Sequence, residues 1–155
     1  MMTENKHDAQ KIFETRRAPG FLFNALSKTY DARTAHALKP LGLNAPHWPV
    51  LDQIYLNPGI NQRELAALCL RDPSTLVNSI DALEKKGWVR RVTDEKDRRA
   101  TRLHITEEGV ATRNAAFAAT RALFEKATEG ISQEDIDHLY DTCLAIYAAL
   151  QQIDD

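Results

Sequence analysis

The chain has 155 residues, 43% apolar and 27% charged, with a formal net charge of −2. That length suits one compact domain, or a domain with a dimerisation extension, and the balance is that of a globular protein rather than a disordered one. No apolar run approaches the roughly 20 residues that a membrane span needs, and residues 1–17 lack the apolar stretch of a signal peptide. A cytoplasmic protein is therefore expected. Its two cysteines, Cys69 and Cys143, give neither zinc spacing nor a disulfide framework. The charge is distributed unevenly: +2 over 1–60, +3 over 61–104 and −7 over 105–155. Phosphate attracts the middle of such a chain and repels its end, so the C-terminal segment is expected to point away from any nucleic acid.

Residues 1–17 read as a flexible, polar N-terminal segment. After Pro19-Gly20 a helix is expected over 21–38, with Phe21, Leu22, Ala25, Leu26, Ala32 and Ala35 roughly on one side. Pro40 and Gly42 end it. Asn44 is a candidate N-cap for the next helix and Pro46 suits its first turn. Pro49 lacks the donor for an internal bond and is expected to kink the start. Val50, Leu51, Ile54 and Tyr55 supply the buried stripe, and Asn57-Pro58-Gly59 makes a turn.

Asn61-Gln62-Arg63-Glu64 reads as a capping box opening a short helix, whose inner face is Leu65, Ala66, Leu68 and Cys69. Asp72-Pro73 restarts the chain as N-cap and first helical residue. That helix runs to about Lys86, where Gly87 stops it. Leu76, Val77, Ile80 and Leu83 face inward, leaving Ser74, Thr75, Asn78, Ser79 and Ala82 outward. Residues 88–92 and 101–105 alternate as strands, with six charged residues among the eight between them, so a β-hairpin with a solvated tip is expected. Thr106 caps a long alanine-rich helix to about Glu129, with Val110, Phe117 and Phe124 at spacings of seven. Ser132 to Asp135 resembles a second capping box. The last helix carries a stripe of Ile136, Leu139, Tyr140, Cys143, Ile146, Tyr147, Leu150 and Ile153.

Two short helices, a glycine stop, a basic hairpin and a long capped helix form a constellation more specific than its parts. The outward Ser74, Thr75, Asn78 and Ser79 are short enough to reach base edges or phosphates, and Asn pairs with adenine. Lys96, Arg98 and Arg99 suit the phosphate backbone or a narrow minor groove. The bland alternative is an ordinary surface helix and a solvated turn. Asp94, Glu95 and Asp97, which nearly cancel the tip's charge, favour that alternative unless Asp97 serves as an anchor that orients an arginine.

Residues 61–109 resemble the MarR family of bacterial regulators. The likeness rests on Glu64-Leu65-Ala66, on Asp72-Pro73-Ser74-Thr75, on Leu83-Glu84-Lys85-Lys86-Gly87-Trp88-Val89, and on Asp97-Arg98-Arg99. Leu103-His104-Ile105-Thr106-Glu107-Glu108-Gly109 and the earlier Leu41-Gly42-Leu43 extend it. The resemblance implies a mainly α fold with a small β-hairpin wing: a winged helix-turn-helix over 44–105, flanked by dimerisation helices over 18–43 and 106–155. It implies a homodimer binding double-stranded DNA at an inverted-repeat operator, with Gln62, Arg63, Ser74, Thr75, Asn78, Ser79, Lys96, Arg98 and Arg99 at the DNA. Arg99 would enter the minor groove, and Asp97 would support the wing. Phe13, Phe21, Ile136, Leu139, Tyr140, Cys143, Tyr147 and Leu150 would form the dimer interface. Two departures stand out: Asn78 occupies a position where the family often has arginine, and Pro49 interrupts a helix that is normally continuous.

The family also implies a small effector, with a repressor of adjacent genes as the expected role. Arg16, Arg17, Tyr30, His36, His47, Trp48 and Phe117 are candidates to hold an aromatic or phenolic acid, set against the plain reading of satisfied core and surface groups. Two other readings remain: a repressor sensing thiol oxidation through Cys69, and a winged helix that binds protein rather than DNA. No nucleophile elbow, phosphate-binding loop or zinc-protease motif is present, so an enzyme is not expected. The five histidines have no metal-ligand spacing among themselves, and no metal or cofactor is expected.

Overall fold

The computed structural model describes residues 18–94 and 101–153. The readings made above for residues 1–17, including Phe13, Arg16 and Arg17, fall outside those residues. So do those for Lys96, Asp97, Arg98 and Arg99. The chain divides into two compact units, 1–123 and 124–155.

In the first unit, helix α1 spans Pro19–Leu38, with proline in its first turn where no donor is needed. It bears only two buried residues, Thr34 and Leu38. Of the apolar stripe read along it, Phe21, Leu22 and Leu26 are exposed. A 3₁₀ turn, Lys39–Leu41, closes on Gly42 at φ 65°. A second 3₁₀ turn, Ala45–His47, leads into α2, Trp48–Leu56. Pro49 therefore sits in the first turn of a fresh α-helix, where no internal donor is missed, rather than inside a continuous one. Asn44 holds the N-cap position before the 3₁₀ turn, but its side chain makes no capping bond.

Helix α3, Gln62–Leu68, opens on the expected capping box: Glu64 N donates to Asn61 Oδ1 at 2.9 Å and Asn61 N to Glu64 Oε2 at 3.1 Å. Leu70 then turns the chain at φ 51°, and α4 follows over Pro73–Lys85. Asp72 is its N-cap, yet only its backbone carbonyl contributes, accepting from Thr75 N and Leu76 N at 3.1 Å; the side chain makes no capping bond. Gly87, at φ 74°, ends the helix as expected.

Strands β1, Val89–Thr93, and β2, Thr101–Ile105, pair antiparallel with Arg91 opposite Leu103. Ile60 adds a bridge to Leu103 through two 3.0 Å bonds: Gly59 N to Leu103 O, and Leu103 N to Ile60 O. The turn after α2 is thereby fastened to the hairpin. Leu38, Leu43, Val50, Leu51, Ile54, Leu65, Leu76, Ile80, Leu83, Val89 and Leu103 make one core, at most 2% exposed each. Leu68, expected inside, is half exposed.

Helix α5, Glu107–Ala127, begins at Thr106, whose Oγ1 accepts from Gly109 N at 3.0 Å and donates to Gly87 O at 2.7 Å. The residue that caps α5 thus also grips the end of α4. Gly109 is needed for space: a Cβ there would lie 2.1 Å from Trp88 O. In the second unit, α6 spans Gln133–Leu150 and is capped by Ser132, whose Oγ accepts from Asp135 N at 3.1 Å. Ile153 lies beyond its end. Among the described residues, no helix is long and apolar enough to cross a membrane.

Candidate nucleic-acid interface

Helix α4 displays Ser74, Thr75 and Asn78 to solvent, on the side away from Leu76, Ile80 and Leu83. Ser79 departs from the outward reading. It is only 5% exposed, because it lies three residues after Leu76 and four before Leu83, on their face. At the start of α3, Arg63 is exposed. Gln62 is engaged instead, its Nε2 donating to Pro73 O at 3.2 Å and tying the first turn of α3 to the first turn of α4.

The outward face of α4 is held in orientation by a residue the sequence reading did not single out. Arg91, on β1, reaches back to two carboxylates one helical turn apart on α4. Its Nη2 is 2.5 Å from Asp81 Oδ1, and its Nη1 pairs with Glu84. Its backbone N also donates to Glu84 Oε1 at 3.1 Å. The base of the wing has a similar fastening, with Arg102 Nε 2.7 Å from Asp94 Oδ2 and Nη1 3.3 Å from Gly59 O. Arg102 therefore joins the hairpin to the turn after α2. Strand alternation puts Arg91 on the core-facing side and Arg102 on the other, but does not say which groups they meet.

At the far end of α4, Lys86 Nζ donates to Gly42 O at 2.8 Å and lies 4.8 Å from the Trp88 ring centroid. His47 stands nearby. Burial, then the charges of Arg71 and Lys86, hold its imidazole below the ordinary histidine range. Burial pushes the Cys69 thiol above its ordinary value against the opposing pull of Arg71. A thiol so placed is protonated at neutral pH and is a poor nucleophile.

The effector candidates do not gather in one cavity among the described residues. His36 lines a groove on α1 with Lys28, Thr29, Ala32 and Arg33. His47 lines a separate groove with Lys39 and the chain after it. Trp48 packs against the core. Tyr30 is 40% exposed. Phe117 meets Arg113, whose guanidinium is 4.7 Å from its ring and 4.3 Å from that of Tyr55. Arg113 Nε is also 2.7 Å from Asp52 Oδ1, which joins α5 to α2. Sequence reasoning missed this arginine, although its i, i+4 spacing from Phe117 marked the pair.

Of the residues read as a dimer interface, Phe21, Leu139, Tyr140, Cys143, Tyr147 and Leu150 are exposed and Ile136 is half-buried. Helix α6 carries no buried residue among the described residues. Among the described residues, no group of three or more His, Cys, Asp or Glu side chains is placed to hold a metal ion.

Comparison with known proteins gives these features a setting. The MarR family profile matches residues 41–100. The structure of CouR from Rhodococcus jostii RHA1 bound to p-coumaroyl-CoA is 34% identical, covering 82% of this chain and 90% of that one, with a TM-score of 0.75. A MarR-family transcriptional regulator from Rhodococcus sp. RHA1 matches with the same identity, coverage and TM-score. The transcriptional repressor CouR bound to a 23-mer DNA duplex is 26% identical, covering 86% of this chain and 95% of that one, with a TM-score of 0.80.

Proposed function

The chain belongs to the MarR family of transcriptional regulators, and on that premise we propose that it is a homodimeric, DNA-binding repressor of adjacent genes, released by a small aromatic or phenolic-acid-like ligand. The observation that carries the reading is the outward row Ser74, Thr75 and Asn78 on a helix braced at Asp81 and Glu84 by Arg91. Base readout needs side chains presented in a fixed orientation to the groove, and this bracing holds the face that carries the three polar groups.

Arg63 is the candidate phosphate contact at the start of α3, with Gln62 setting the spacing between α3 and α4. Lys96, Arg98 and Arg99 at the wing tip supply backbone and minor-groove contacts, with Asp97 orienting them. The second copy covers Leu139, Tyr140, Tyr147 and Leu150 of α6 and Phe21 of α1, which are 42–68% exposed. Two modestly basic modules bound together gain avidity that neither has alone. CouR, bound to p-coumaroyl-CoA in its own structure, supports an aromatic acid or its thioester as the ligand class. The raised thiol of Cys69 speaks against the thiol-sensing alternative.

A mobility-shift assay on the DNA upstream of the protein's own gene tests this. The expected result is a discrete complex that a hydroxycinnamic acid or its coenzyme A thioester dissolves. No complex on that DNA defeats the repressor reading, and a complex indifferent to both compounds defeats the effector class.

A further inference from the structure

We infer that Arg113 is a positioning residue for operator binding. Its contacts with α2 fix the angle at which α5 leaves the winged helix, and with it the separation of the two α4 helices that one dimer presents to DNA. The inference rests on the homodimeric, DNA-binding reading above.

Helix α5 is held against the winged helix at two places. The first is its start. There Thr106 N donates to Trp88 O at 3.0 Å, Thr106 Oγ1 donates to Gly87 O at 2.7 Å, and Gly109 comes so near Trp88 O that a Cβ would not fit. The second is Arg113. Its Nε donates to Asp52 Oδ1 at 2.7 Å, with 12% of the arginine side chain and 22% of the aspartate side chain exposed. Its guanidinium carbon lies 4.3 Å from the centroid of the Tyr55 ring, within reach of a cation–π attraction. Asp52 and Tyr55 are three apart on α2 and so are neighbours on its surface. Helix α2 is itself rooted in the core by Val50, Leu51 and Ile54. The arginine therefore grips a firmly held part of the module. From its own helix it is restrained by the Phe117 ring at 4.7 Å and by Asn114 Oδ1, which accepts from Nη1 at 3.3 Å.

The rest of the packing leaves the angle of α5 to this residue. The buried positions of α5 are Gly109, Ala116 and Thr120, all small, and Arg113 falls on their face. Small side chains let helices approach closely, but their ridges are shallow and interlock little. One fixed point lets a helix pivot, and a second sets its direction. Between Thr106 and Arg113 lie about 10 Å of axis, and α5 runs about 20 Å further to Ala127. A slip of about 1 Å at Arg113 thus becomes about 3 Å at the end of the helix. A twofold dimer carries the slip twice, about 6 Å in all, which is nearly two base-pair steps of about 3.4 Å. Helix α1 also leads towards a surface proposed for the second copy, but through two 3₁₀ turns and Gly42 at φ 65°. Helix α5 is the unbroken arm. Lysine at 113 would keep the charge and lose the planar fork that serves a carboxylate and a ring face together.

The test uses the full chain and the upstream inverted repeat, read by fluorescence anisotropy. The arms of the repeat are set at the native spacing and at one or two base pairs more or less, and a single arm is measured alone. The original chain should prefer the native spacing at least tenfold. Arg113→Lys and Asp52→Asn should each reduce that preference at least threefold, while binding the single arm within twofold of the original chain and sedimenting as it does. A lower melting temperature with the spacing preference intact would make the arginine a fold-holding group only and overturn the inference. So would an equal loss of affinity on the single arm, or an original chain indifferent to spacing. Tyr55→Leu, which keeps the ion pair, repeats the measurement if either variant fails to fold: a blunted preference supports the inference and an unchanged one overturns it. No binding by the original chain defeats the repressor reading and the inference with it. Binding by the original chain, with variants that discriminate spacings as it does, defeats the inference alone.

Discussion

Leu70 and Gly109 show how single backbone positions set the geometry of the module. Leu70 is 73% exposed and turns the chain at φ 51°, where a side chain costs about 1 kcal/mol or more. Leu70→Gly should raise stability by up to about 1 kcal/mol, the relief being partly offset by the freedom glycine gains when unfolded; a lower melting temperature would contradict this. Gly109 is the opposite case. Gly109→Ala places a methyl 2.1 Å from Trp88 O, the same oxygen that accepts from Thr106 N. Overpacking of this kind costs about 1–3 kcal/mol, so a clear fall in melting temperature is expected despite alanine's better helix propensity. The sequence motif marked Gly109, but only the approach of the Trp88 carbonyl explains it. His47 makes stability depend on pH. Its folded pKa is depressed, so as pH falls the unfolded chain takes the proton first, near pH 6.5. The stability His47 contributes is present above that pH and is lost as pH drops through the folded value. His47→Gln should flatten the melting temperature against pH below about 6.5, and an unchanged slope would remove His47 as the cause.

At the scale of elements, α4 and the wing act as one piece because Arg91 joins them. Arg91→Ala should cost about 1 kcal/mol, a modest figure because the ion pairs are partly exposed. The DNA consequence should be larger than the stability loss, since α4 loses its brace. A double-mutant cycle of Arg91→Ala with Glu84→Gln, read by thermal melting, should show coupling; strict additivity would mean the pair does not hold the helix. The elements themselves were legible because their signals are local: the Asn61–Glu64 box, Pro73 at a first turn, Gly87 at a stop, and alternation in the strands. The same periodicity places Ser79 on the face of Leu76 and Leu83. Not legible were the longer-range ties. Arg91 to Asp81, Arg102 to Gly59 and Arg113 to Asp52 depend on which elements meet in space, and no local pattern states that. Pro49 was misjudged because the 3₁₀ turn before it resets the helix start, a break that spacing alone does not announce.

At the scale of the molecule, several large apolar side chains stand exposed among the described residues. Leu139 is 50%, Tyr140 68% and Leu150 58% exposed, and Phe21 on α1 is 42% exposed. Scattered apolar residues on a surface are ordinary, but this many on one helix mark an association face. On the homodimer proposed above, Leu139→Asp should leave a folded monomer in sedimentation experiments; a dimer that persists would exclude α6 from the interface. The stripes on α6 and α1 were readable from their spacing, but periodicity shows that a face is apolar and not what covers it. The central claim is that two such chains bind one DNA site through α4 and the wing. The direct measurement is a titration of the upstream inverted repeat, read by fluorescence anisotropy at several salt concentrations. The account predicts two chains per duplex, an affinity that falls steeply as salt rises, and preference for the inverted repeat over a scrambled sequence. One chain per duplex, or equal affinity for the scrambled DNA, would contradict it.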